Sequence, residues 1–129
     1  MKLLGFLICF ALMLWMMDTS AGISAFIDTM SVTVVLGGGI AYAVAKDGIS
    51  QTRDQALLNF ADGAVYWGWL GFLVGCVAIA GTLKELSGLG PAAAIAFLTI
   101  LYGYFIKWMI MALVDTSDTK ALKRKELSD

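Results

Sequence analysis

The chain has no histidine, one proline and two cysteines, and only 15% of its 129 residues are charged. Soluble domains carry roughly 25% charged residues, so the composition argues against a soluble enzyme, a disordered tail and a nucleic-acid binder. The formal net charge is −1, and no excess of bases is there to neutralise phosphates. The lack of histidine removes the commonest general base and the commonest transition-metal ligand. Cys9 and Cys76 both lie inside apolar runs, as small packed thiols do. A disulfide between them would be unusual within lipid, and zinc would need about four ligands. No metal site and no cofactor is expected. Nor is an enzyme: the sequence offers no paired intramembrane carboxylates and no nucleophile with a base at suitable spacing.

What is there is apolar. Residues of the AVILMFWYC set make up 60% of the chain, and they fall in four runs. A spanning helix needs roughly 20 mostly apolar residues. Leu3–Met17 is an unbroken run between Lys2 and Asp18. Met30–Ala45 follows, with Asp28 placed to cap its start and Lys46 at its far end. Gly63–Leu83 carries no charge, and Ala92–Val114 carries only Lys107. Pro91 precedes the last run, where proline suits a first helical turn. The runs are too long for strands and show no period of two. The fold class expected is all-α integral membrane with four transmembrane helices, at about 3–17, 28–45, 53–83 and 91–114. They form one membrane domain over 1–129, with a tail over 115–129.

Charge placement gives an orientation. Lys2, Lys46, Arg53, Lys107, Lys120, Lys123, Arg124 and Lys125 lie at or beyond one set of ends, and Lys84 alone lies at the other. By the positive-inside bias both termini are cytoplasmic. Tyr42, Tyr66, Trp67 and Trp108 cluster near the inner ends, with Trp15 near an outer one. Met1–Ala21 also carries the marks of a signal peptide, with Thr19-Ser20-Ala21 as a weak cleavage site. Cleavage would leave the other helices in the same orientation. Thr52 followed by Gln55 is a capping-box pattern, and helix propensity continues through Leu58. A helix from Arg53 to Leu83 would be about 46 Å long at 1.5 Å per residue. That exceeds a hydrocarbon core of about 30 Å, so the third helix is expected to project into the cytoplasm with Asp62 near the boundary. The tail holds four acids and four bases; its Lys123-Arg124-Lys125 cluster could touch anionic lipid or simply fix topology.

Two helices carry a face of small residues. On the third, Gly68, Gly71, Gly75, Ala78 and Thr82 share one side, and Gly71 with Gly75 makes a GxxxG pair that lets backbones approach. On the fourth, Ala92, Ala96, Thr99 and Gly103 do the same, with Lys107 one turn further in. These faces either meet each other within one chain or turn together toward the axis of an oligomer. Lys107 is positioned to snorkel at the inner end or to pair with an acid of a partner. Gly37-Gly38-Gly39 reads as a close helix crossing. None of the ten acids sits within the four runs, so the chain has no intramembrane carboxylate of its own to relay protons.

Two segments resemble a known family. Ser24-Ala25-Phe26-Ile27-Asp28-Thr29-Met30-Ser31, then Val34-Val35-Leu36-Gly37-Gly38, is similar to the start of the second helix of the flagellar stator subunit MotA. Leu89-Gly90-Pro91-Ala92-Ala93-Ala94-Ile95-Ala96-Phe97-Leu98-Thr99-Ile100-Leu101-Tyr102-Gly103 resembles that family's last helix. The topology also suits the MotA/TolQ/ExbB superfamily. The resemblance implies an oligomer, a pentamer, around a single-span partner that supplies a proton-binding aspartate, with the last two helices lining the pore. It implies a bacterial inner-membrane location and conduction of protons or Na⁺. It also turns the two small faces, with Cys76, toward the common axis.

The chain departs from the pattern. The large cytoplasmic domain between the second and third helices is missing, which removes the rotor-contacting surface and points to a process other than standard flagellar rotation. Cys76 follows Gly75 where the family has a pore threonine. Thr99 is kept, but Ile100 stands at the second threonine and Met30 at the proline. These changes favour a second reading, a non-conducting scaffold or assembly protein that keeps the stator-like fold.

Overall fold

The computed structural model describes residues 2–47, 52–82 and 88–114. Lys84 and the tail 115–129, with its basic cluster, lie outside the described residues, as does the side chain of Thr82. The described chain is all helical: α1 (Lys2–Ala21), a single 3-10 turn (Ile23–Phe26), α2 (Thr29–Asp47), α3 (Arg53–Thr82) and α4 (Leu89–Leu113). All four α-helices are long and apolar enough to cross a membrane. That is the mark of a multi-pass membrane protein.

The helix ends follow local chemistry. α1 runs past Asp18, beyond the end of its apolar run. The Thr19 hydroxyl donates to the carbonyls of Trp15 and Met16, and that of Ser20 to Met17. Their polarity is thereby turned back onto the helix instead of ending it. Gly22 then takes φ 78° and donates its amide to Asp18 O. This is a left-handed exit that costs glycine little. α3 opens with the Ala56 amide on the Thr52 carbonyl and reaches Thr82. Its 30 residues span about 45 Å. α4 starts at Leu89, so Pro91 lies within its first turn, where its missing N–H is no loss.

α2, α3 and α4 pack together, and the broadest contact is between α3 and α4. α1 leans on α4 by stacked rings, Phe6 on Trp108 and Phe10 on Phe105. The buried apolar residues are small or medium: Val35, Ala61, Ala64, Ala96 and Leu98. The large ones face outward; Met30 and Val77 are each 73% exposed. Lipid is as apolar as leucine, so burying bulk gains little there, and close backbone contact between small residues drives association instead.

Candidate functional site

The residues that carry the sequence resemblance meet in space. Asp28 ends the stretch after the 3-10 turn and caps α2. Its Oδ2 accepts the Ser31 amide at 2.7 Å and the Ser31 hydroxyl at 2.5 Å. These bonds, the hydroxyl first and the amide second, hold the Asp28 carboxyl below its ordinary value of 3.8 against the opposing effect of burial. Tyr102, near the middle of α4, reaches the same turn. Its hydroxyl donates to Phe26 O and accepts the Asp28 amide at 3.0 Å. Ser31 is 2% exposed, and its hydroxyl lies 3.4 Å from Ile95 O. The Phe26–Ser31 segment and the Ile95–Tyr102 stretch of α4 therefore form one hydrogen-bonded node.

This node makes a direct prediction. Tyr102→Phe removes one hydroxyl and leaves two half-buried main-chain groups without it. The loss of stability is expected to be about 1–3 kcal/mol, read by SDS-induced unfolding in mild detergent.

The small-residue faces of α3 and α4 meet within the chain. A Cβ added to Gly68 would lie 2.7 Å from Thr99 O, one on Gly71 3.1 Å from Thr99 Cγ2, and one on Gly75 2.9 Å from Ala96 Cβ. Across the same contact, a Cβ on Gly103 would meet Ala64 O at 2.6 Å. Thr99 is 6% exposed, and its hydroxyl serves two main-chain carbonyls, Gly68 at 2.9 Å and Ala96 at 2.7 Å. Ala78 and Ala92 line a groove beside this contact, together with Gly71, Gly75, Ala96 and Thr99. Cys76 is a free, exposed thiol, as is Cys9. α2 and α3 approach through glycines of both helices: Trp67 lies over Gly38 and Phe60 against Gly39 of α2, and Tyr42 lies against Gly63 of α3.

Lys107 finds an acid in its own chain. Its Nζ is 2.8 Å from Asp62 Oδ1, and each side chain is 38% exposed. Asp62, Trp69, Phe72 and Cys76 follow one another along the flank of α3 turned away from its α2 contacts. On α4 the matching flank carries Phe97, Tyr104 and Lys107. Phe72 packs on Phe97 with centroids 5.1 Å apart, and Trp69 Nε1 donates to the Tyr104 hydroxyl at 3.4 Å. This is an open, two-helix face of aromatic rings with an ion pair at one end.

Sequence reasoning missed Asp62, Trp67 and Tyr102 as partners. For Asp62 a signal existed: in two antiparallel helices, one ending at Thr82 and the next starting at Leu89, position 62 lies level with 107. For Tyr102 the only signal was its place inside the matching segment. Comparison with protein-family models, with curated proteins and with solved structures gives no match.

Proposed function

We propose that the chain is a MotA-like subunit of the bacterial inner membrane, with both termini cytoplasmic. In this reading several copies, five by the resemblance, form a ring around a single-span partner. The chain performs no catalysis itself. The observation that carries the reading is the node at Tyr102. The two segments that resemble the family are remote in sequence yet bonded to each other, as parts of one inherited unit would be. The open face of α3 and α4 adds support. The Asp62–Lys107 pair, near the inner boundary, is left part-exposed by its own chain, where a neighbouring copy or the partner would cover it.

One observation favours the second reading, a scaffold that does not conduct. Thr99 is 6% exposed and its hydroxyl proton is directed at main-chain carbonyls of its own bundle, so that proton is held within the helix pair and not offered to an ion path. Native mass spectrometry of the chain in mild detergent tests the ring: an oligomer larger than a dimer is expected. A clean monomer or dimer, with no partner co-purifying, would sink the proposal. Proton flux into proteoliposomes carrying the chain and its candidate partner separates conduction from scaffolding, since a saturable flux excludes the scaffold.

A further inference from the structure

A groove of about 650 Å³ runs between α2, α3 and α4 beside the start of α2. Met30, Val34, Val74, Gly75, Ala92 and Ile95 are among the residues that line it. Along α3 it extends from Trp67 to Ile79, a length of about 18 Å at the helical rise. One leaflet of a hydrocarbon core about 30 Å thick is about 15 Å deep, so the groove is about as long as one acyl chain. Its volume agrees. An apolar cavity of about 150 Å³ takes benzene, six carbons; on that scale this groove takes about 26 carbons, one long chain with slack.

Ser31 and Thr99 bring hydroxyls to the lining, and Ser31 leads to a charge. Ser31 lines the groove and donates both its hydroxyl and its amide to Oδ2 of Asp28. Among the described residues nothing donates to the other oxygen, Oδ1, and no cation pairs with the carboxylate. An apolar channel one leaflet long, with a half-used carboxylate beside it, matches an amphiphile with a cationic head. We propose that the groove and Asp28 together bind an aminophospholipid, its acyl chain along α3 and its ammonium on Asp28 Oδ1. A lipid whose head carries only the phosphate anion would set like charges together and lose that charge-assisted bond. The site belongs to the single chain and does not depend on the ring.

Native mass spectrometry of the full chain, titrated with phosphatidylethanolamine or phosphatidylglycerol of identical acyl chains, tests this. The expected result is one phosphatidylethanolamine per chain, bound at least about tenfold tighter than phosphatidylglycerol. Asp28→Asn keeps an oxygen for Ser31 and should bring the two lipids to within about twofold of each other. Val74→Trp, which fills the groove, should weaken both. N-acyl phosphatidylethanolamine, which lacks the ammonium, should bind the native chain like phosphatidylglycerol. That arm needs no variant to fold. Equal binding of the two lipids to the native chain, or a preference that survives loss of either charge, overturns the proposal. So does a protein helix co-purifying in place of lipid and released by Val74→Trp.

Discussion

Gly38→Ala is expected to destabilise the bundle by about 3 kcal/mol, the upper end of what overpacking costs. The new methyl would overlap Cγ and Cδ2 of Trp67. These atoms sit at the root of the indole, so a small rotation of a flexible side-chain tip cannot relieve the clash. Either α2 moves off α3 or the whole ring leaves its place. Gly37→Ala, one residue earlier, meets nothing within 4 Å; it should be neutral or stabilising by up to about 1 kcal/mol, the helix-propensity gain of alanine over glycine. Trimming the obstacle should restore much of the loss, so the Gly38→Ala, Trp67→Ala double variant should be more stable than Gly38→Ala alone. The two sites touch, and such pairs couple by about 0.5–3 kcal/mol. SDS-induced unfolding of the four proteins of the cycle reads this. Equal stability of Gly37→Ala and Gly38→Ala would mean that α2 does not approach α3 through this face.

That contrast marks how far the sequence alone could go. The helices were legible because each apolar run approaches the length of a membrane crossing, and the punctuation at Asp28 and Pro91 is local. The helix ends differed where local bonds intervened: Thr19 and Ser20 carry α1 to Ala21 by bonding back to its carbonyls. The small faces were legible as faces, because helical period alone places Gly68, Gly71 and Gly75 on one side. What each face touches was not legible. Gly37, Gly38 and Gly39 look alike in sequence, yet only the last two have Trp67 or Phe60 against them. Which glycine faces a neighbour depends on the rotation of α2 about its own axis, which packing decides. The Tyr102 node was hidden for the same reason. Its hydroxyl serves a turn 74 residues away, and a tyrosine in an apolar run otherwise reads as an interfacial aromatic. Lys107 was visible as a charge, but its partner depended on the register of the α3–α4 hairpin.

Gly68→Ala and Gly103→Ala should behave differently from Gly38→Ala. Here the obstacle is main chain: Thr99 O at 2.7 Å for the first and Ala64 O at 2.6 Å for the second. A helix carbonyl cannot rotate away without breaking its own ladder, so relief requires α3 and α4 to separate. Separation loses more than contact. Thr99 would leave the Gly68 carbonyl and its hydroxyl would keep only Ala96, while Lys107 would draw back from Asp62. A loss of about 2–4 kcal/mol is expected for each, overpacking plus a lost interhelical hydrogen bond. No truncation of a neighbouring side chain should rescue either one, because no side chain is in the way. Both substitutions act through one displacement of the same pair of helices. The double variant should therefore lose less than the two single losses added together, since the first alanine already opens the space the second needs. SDS-induced unfolding of the two single variants and the double supplies the comparison. Strict additivity, or rescue of Gly68→Ala by Thr99→Ala, would place the strain in side chains and refute a backbone-to-backbone contact between α3 and α4.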